Sequence, residues 1–419
     1  MIGTGVFTSL GFQLLDIRSG FVLLLLWALG GLIALCGAMT YAELGAAMPR
    51  SGGEYNFLSR IFHPAAGFVS GWVSATIGFA APTALAAMTF AAYATSGIDG
   101  GVSDAVKKSL AVALVVILTL VHTSSRRRSG GLQAFFTTLK IAAIVAFCVL
   151  ALLFVDVPQP VDFLPRSTDA RVLTSSAFAV SLIYVSYAYT GWNAATYLSS
   201  ELEDPQRNLP RILFIGTAVV TLLYVGLNYV FLRVAPMEAL SGQLEVGFVA
   251  AEFAFGATGG RFAGMALALL LISTVSAMTV AGPRVLQVIG EDFAPLGKLA
   301  TTNEDGLPYV AIISQSVLTI AFIVTGSFES ILVFAGFTLA LNSFVTVAGI
   351  FRLRFSQPDL LRPYRTFGYP VTPLIYLLLM GWTLAFVLIS RPTEAWFGVA
   401  LIASGVVIYW LASRERARD

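Results

Sequence analysis

Charge is what this sequence has least of. Asp, Glu, Lys and Arg make up 11% of its 419 residues, less than half of the roughly 25% typical of soluble domains. Meanwhile 57% are hydrophobic and the mean hydropathy is +0.83. A chain this apolar cannot present a water-covered surface, so an ordinary soluble globular protein is excluded. Histidine is almost missing: His63 and His122 are the only two, too few for a histidine metal site and badly placed for a catalytic dyad. Cys36 and Cys148 sit inside apolar runs, which excludes a disulfide framework and a CxxC metal site. No GxxxxGK[ST] phosphate loop occurs, so no nucleotide motor is evident. Acidic and basic residues nearly cancel at a net charge of +2, which leaves no electrostatic footprint for nucleic acid. No catalytic residue, cofactor or metal is expected.

What the chain has instead is long apolar runs. Windows of about twenty residues mark 20–48, 66–96, 108–123, 132–155, 174–200, 210–233, 260–288, 308–326, 328–352, 370–390 and 394–412. These are read as eleven spans of an all-α polytopic membrane protein whose solvent is the lipid bilayer. The first seventeen residues, MIGTGVFTSLGFQLLDI, are apolar but too short to cross, and read as half a helix. They lack the cationic start and small-residue cleavage site of a signal peptide. A charged amino terminus at mid-membrane is costly, so the inner half of this helix is expected to lie upstream, with Met1 an internal methionine. Lys and Arg favour one set of alternate connections about two to one. By the positive-inside rule that places the SRRRSGG and LRPYRTFGYP loops and the C-terminus in the cytoplasm of a plasma-membrane protein.

Two segments combine glycine with polar residues at membrane depth: Ile2-Gly3-Thr4-Gly5, and Tyr187 to Asn193 in YAYTGWN. Lipid offers no partner for backbone groups freed by a break, so irregular backbone is tolerated only where it lines a cavity or meets a ligand. Breaks five spans apart suggest an inverted repeat. Half-helix N-termini suit a carboxylate and exposed carbonyls suit an ammonium, a pairing that one α-amino acid satisfies at both ends. Singly, each glycine would be read as a close-packing residue.

The blocks IGTGVFTSLG, YAELGAAMPRSGGEYNFLSRIFHPAAGFVSGW, YAYTGWNAATYLSSELEDPQRNLPRI and LNSFVTVAGIFRLRFSQPDLLRPYRTFGYP, in this order, resemble the amino acid–polyamine–organocation superfamily and its L-type amino acid transporter branch. The resemblance spans essentially the whole chain and implies a LeuT-type fold: two inverted five-helix repeats, here 1–155 and 174–354, followed by two extra helices in 370–413. It implies that the amides of Gly3, Thr4 and Gly5 hold a substrate carboxylate and that the Ile2 carbonyl faces its ammonium. Tyr187, Ala188, Thr190 and Gly191 fall on the second break, with Tyr187 at an aromatic gate that is usually Phe. Thr190 replaces a frequent Gly and so favours small neutral substrates. Asn342 matches a polar position near the substrate side chain.

Lys140 is the one ionisable residue read as lying well inside a span, and such a group is functional by default. The resemblance places it where sodium-coupled cousins bind sodium. It is then either a proton-loading coupling group or a permanent stand-in for the ion, with Ser273 and Thr274 facing it. Glu43 and Glu54, together with Glu201, Glu203 and Asp204, are candidate partners of Arg50, Arg60, Arg207 or Arg211 in an inner latch, or else plain solvated helix ends. No carboxylate is expected at mid-span, which disfavours cationic substrates. The stretch from Pro236 to Gly260 is expected to form a surface helix. The resemblance also implies that a disulfide-linked ancillary subunit would bond through a cysteine between the third and fourth helices. SGIDGGVSDAVKKS has none, so no such partner is expected. The resulting expectation is a secondary transporter of small neutral L-amino acids working by alternating access, either as a proton symporter or in exchange for a counter-transported amino acid. An amino acid sensor or a channel-like facilitator is the alternative.

Overall fold

A computed structural model describes residues 1–98, 100–124, 129–304 and 306–416. The chain forms helices α1 (Gly5–Asp16), α2 (Gly20–Ala47), α3 (Glu54–Ile61), α4 (Pro64–Thr95), α5 (Asp104–Ser124), α6 (Ser129–Phe154), α7 (Ser176–Ala188), α8 (Pro205–Val234), α9 (Val246–Ala281), α10 (Pro283–Asp292), α11 (Tyr309–Thr325), α12 (Phe328–Ser356), α13 (Val371–Ser390) and α14 (Pro392–Arg416). Among the described residues nine helices are long and apolar enough to cross a membrane, and α7 and α11 are shorter apolar helices. Arg126, Arg127 and Arg128 of the SRRRSGG connection, the side chain of Glu201 and the basic side chains of the C-terminal tail lie outside the described residues.

Helix starts follow the sequence. Ser19, Ser175 and Ser327 each accept a hydrogen bond from a first-turn amide, and His63 Nδ1 accepts one from Ala65 N at 3.1 Å just ahead of Pro64. Large apolar side chains such as Ile117, Leu120, Phe135 and Leu153 of α5 and α6 stay exposed, as a bilayer-facing surface requires. Helix α2 is buried on opposite sides, through Trp27, Ala34 and Ala38 on one and Cys36 and Glu43 on the other, and packs along α8.

Three departures from the expected spans have local causes. The run 174–200 is helical only to Ala188. It then turns at Gly191 (φ +88°) and continues as a 3-10 helix over Ala194–Glu201. Within α4, residues Ser74–Phe79 form a π-helix that an uninterrupted apolar run does not announce. The Pro236–Gly260 stretch, expected as one surface helix, is a short helical turn at Met237–Leu240 followed by a helix from Val246 that breaks at Gly256 (φ 73°, ψ 177°), beyond which α9 continues as a second helix.

The ends of the bundle are tied by ion pairs that differ from the expected latch. Glu43, 0% exposed, receives Arg354 in a two-pronged pair (Nε to Oε1 2.9 Å, Nη2 to Oε2 2.6 Å) and the Thr366 amide at 2.7 Å. Arg362 Nε stands 3.4 Å from Glu43 Oε1, close enough to pair but not aligned as a hydrogen bond. The Arg362 Nη groups instead donate to the carbonyls of Leu353, Gln357, Pro358 and Leu360, capping the end of α12. Arg354 lies 3.6 Å from the centroid of the Tyr369 ring. Glu43 therefore pairs with Arg354 and Arg362 rather than with Arg50, Arg60, Arg207 or Arg211, because the end of α2 lies against the end of α12. Arg50 pairs with Asp292 at 3.8 Å. Glu203 and Asp204 form no ion pair among the described residues.

At the opposite end Arg391 pairs with Glu329 at 2.5 Å, and Tyr184 Oη donates to the same carboxylate. There the segment before α9 closes over α1. Gly242 N donates to Gly11 O at 2.8 Å, and Tyr93 Oη donates to Phe7 O while accepting from Gly247 N.

Breaking a buried ion pair on one side costs about 3–5 kcal/mol, whereas an exposed pair contributes roughly 0–1 kcal/mol. Arg354→Ala is therefore expected to lower the thermal midpoint of the purified protein well below that of Arg166→Ala, whose partner Asp162 is exposed at 3.1 Å. Equal midpoints would show that Glu43 does not anchor the frame.

Candidate functional site

The two irregular segments meet. A Cβ on Gly5 would lie 2.5 Å from Ala188 Cα, and one on Gly191 would lie 3.2 Å from Met1 N. Only glycine permits so close an approach of backbone to backbone. The freed carbonyls find polar side chains. Tyr224 Oη, from the middle of α8, is shared between Met1 O (2.9 Å) and Ala188 O (3.2 Å). Thr190 Oγ1 donates to Tyr187 O at 2.6 Å, and Thr8 Oγ1 to Thr4 O at 3.1 Å. Sequence reasoning passed over Tyr224, although a tyrosine at mid-span is itself the signal.

Beside the second break lies a cavity of about 230 Å³. Thr190, Gly191 and Asn342 line it, as does Ser186, whose buried hydroxyl has no hydrogen-bond partner among the described residues. The π-helical residues Gly78 and Phe79 complete one wall. Gly282 keeps that wall narrow, since a Cβ there would lie 2.6 Å from Phe79 Cβ. Ile2, Gly3, Thr4, Gly5 and Ala188 are not on the cavity wall, because the start of α1 is covered by the end of α7. Tyr187 is likewise off the wall: its hydroxyl meets Thr4 and its Cβ faces Gly336. Ser186 and Tyr189 line the cavity in its place.

The expectation that the cavity meets no carboxylate is corrected. Glu54 is 1% exposed and lines it. Its Oε1 accepts from Tyr41 Oη (3.0 Å) and Asn193 Nδ2 (2.5 Å), and its Oε2 from Tyr197 Oη (2.5 Å). Sequence spacing placed Glu54 at a helix end on the membrane boundary. The turn through Gly52 and Gly53 carries it inward.

Lys140 is 8% exposed and donates to Thr274 Oγ1 at 2.7 Å. Thr274 Cγ2 in turn lies 3.8 Å from where a Gly3 Cβ would stand. The ammonium thus sits behind the first break, away from the cavity wall. Ser273 is not part of this contact: its hydroxyl donates to Leu270 O of its own helix at 2.7 Å.

A helical bundle in which the irregular start of α1 abuts the break after α7, beside a central cavity, is the LeuT-type fold of multi-pass membrane proteins. The chain belongs to the amino acid permease family, which it matches over residues 1–415. Relatives include the human large neutral amino acids transporter small subunit 2, 29% identical over 98% of this chain and 77% of the relative. The mouse b(0,+)-type amino acid transporter 1 is 28% identical over 98% of this chain and 84% of its own. The mouse Asc-type amino acid transporter 1 is 28% identical over the whole of this chain and 79% of its own.

Overpacking a tight backbone contact costs about 1–3 kcal/mol. Gly5→Ala is expected to lower the thermal midpoint, whereas Gly226→Ala, where an added Cβ meets nothing within 4 Å, leaves it in place. A Gly5→Ala protein as stable as Gly226→Ala would mean that the two breaks are not in contact.

Proposed function

We propose that this chain is a secondary active transporter of small neutral L-amino acids in the plasma membrane, working by alternating access with its C-terminus in the cytoplasm. The observation that carries the reading is the contact between the two broken helices at Gly5 and Ala188, beside a cavity lined by the second break. The backbone N–H and C=O groups at such breaks offer both signs of partial charge within one ligand's length. Ser186 supplies a polar group still in need of a partner. In this reading Gly3, Thr4 and Gly5 donate to the substrate carboxylate once α1 and α7 separate, Ile2 and Ala188 offer carbonyls to the ammonium, Tyr187 closes over the ligand, and Thr190, Gly191 and Asn342 bound its side chain. The two repeats are 1–155 and 174–354, with 370–413 packed outside them. Neutral substrates fit better than cationic ones, because Glu54 is already engaged by three donors. No disulfide-linked subunit is needed by the connection between α4 and α5, which has no cysteine.

Lys140 links α6 to α9 through Thr274 directly behind the first break. A cation there supports the carbonyls of the first break, and exchange of its proton during the cycle would couple transport to a pH gradient.

Uptake of labelled alanine, serine, threonine and leucine into proteoliposomes tests the reading, with and without an imposed pH gradient and with and without unlabelled amino acid inside. Accumulation that needs the gradient establishes a proton symporter, and uptake that needs internal amino acid establishes an exchanger. Absence of both uptake and substrate-induced thermal stabilisation would overturn transport in favour of another role for the fold. Lys140→Ala is expected to abolish gradient-driven accumulation. An unchanged dependence on the gradient would remove Lys140 as the coupling group.

A further inference from the structure

We propose that Glu54 is a positioning residue that locks the second broken helix against α3, closing the cavity toward the side of the membrane that carries α3 and the ends of α2 and α12. This rests on the alternating-access reading above.

Chain geometry brings a carboxylate to an unusual place. Gly52 (φ 115°) and Gly53 (φ 52°, ψ −126°) occupy backbone conformations that suit glycine. A Cβ on Gly53 would stand 2.9 Å from the Tyr197 ring and 3.1 Å from Thr196 Oγ1. The SGGE turn is therefore pressed directly onto the 3-10 segment that follows the second break, and Glu54 enters the cavity wall from it. Three elements converge on its carboxylate: α2 through Tyr41, the break through Asn193, and the 3-10 segment through Tyr197. Tyr197 Oη also lies 3.3 Å from Ser74 Oγ, the first residue of the π-helical stretch. Trp192 stacks edge-on against Tyr41 at 4.6 Å and covers the cluster. Among the described residues Glu54 has no ion pair, so neutral donors alone hold this buried carboxylate.

That arrangement favours two states and penalises what lies between. A buried carboxylate needs its donors or bulk water. Moving residues 193–197 away from α3 removes two of the three donors at once, and only water entering from the α3 side can replace them. The closed state is held by charge-assisted hydrogen bonds, roughly twice as strong as neutral ones. The open state is held by hydration. Glu43, by contrast, joins α2 to α12 through arginines and touches neither break, so it holds the frame and leaves the gate free to move.

The test uses Ala34→Cys, a cavity-lining reporter that is 3% exposed in this structure, in a Cys36→Ser, Cys148→Ser background. A membrane-impermeant maleimide is applied to oriented vesicles from each face. Glu54→Gln keeps the shape of the side chain and removes its charge. It is expected to raise labelling from the α3 face about tenfold, and to raise the KM for substrate presented from the opposite face with little change in maximal rate. Tyr197→Phe, which removes a single hydroxyl, is expected to act in the same direction and serves should Glu54→Gln fail to insert. Labelling rates equal to the parent in both variants would overturn the lock. The labelling readout needs no substrate, so a protein that moves no amino acid can still show the lock. A transporter with unchanged labelling would sink the lock alone.

Discussion

Irregular backbone in a bilayer frees N–H and C=O groups that lipid cannot satisfy, and the centre of this protein is organised around two such segments, one ahead of α1 and one after α7. At Gly5 and Gly191 the absence of side chains lets the two segments touch, so each becomes part of the other's shelter. The remaining carbonyls are met by hydroxyls held on neighbouring helices or within the same turn: Tyr224 from α8, Thr190 within the second break, and Thr8 on α1. Neutral donors suit this task because they can be exchanged for another polar partner without stranding a charge. The carbonyls of the two segments are thus paired in this arrangement with neutral hydroxyls, which another polar partner could replace.

Full charges are placed by a different rule. At the bundle ends they come as paired clusters, Glu43 with Arg354 and Arg362 on one side and Glu329 with Arg391 on the other. Each joins an end of α12 to the end of a neighbouring helix, α2 on one side and α13 on the other. A buried ion pair is weak evidence of net stability but strong evidence of registry, since removing one partner leaves an uncompensated charge. Near the breaks the charges are single. Lys140 rests on a threonine hydroxyl and Glu54 on two tyrosines and an asparagine.

Much of this was legible in the sequence, and the rest failed for physical reasons. Each of the eleven apolar runs contains a helix, although the run 174–200 leaves it after Ala188, because hydrophobic length is a direct consequence of bilayer thickness. The two breaks were visible because glycine beside polar residues has few other uses at membrane depth. The Lys140 partner Thr274 was visible as a hydroxyl on a facing helix, while Ser273 beside it satisfies its own backbone. Tertiary choices were not legible. Glu43 had several arginines within plausible reach, and only the packing of α2 against α12 selects Arg354 and Arg362. The π-helix at Ser74–Phe79 has no compositional mark. Glu54 was assigned to a boundary because sequence distance from the last apolar residue was read as depth, whereas two glycines in positive-φ turns return the chain to the cavity.

The positions of Lys140 and Glu54 imply a division of labour between the two breaks. Lys140 sits behind the first break, off the cavity wall, on the Thr274 hydroxyl of α9. Glu54 sits on the cavity wall, where its charge acts on side chains of the second break. A positive group behind one break and a negative group beside the other would set a direction across the central cavity between them. Ligands aligned with that direction gain Coulomb energy, and in a low-dielectric interior the gain exceeds its value in water. A zwitterion has the charge pattern that such an axis selects. An uncharged ligand of equal size gains nothing from it, and a ligand with one net charge is attracted at one end and repelled at the other. In the transporter reading proposed above, these two charges would add to the backbone groups of the breaks in favouring a zwitterion, while the cavity walls would select the side chain.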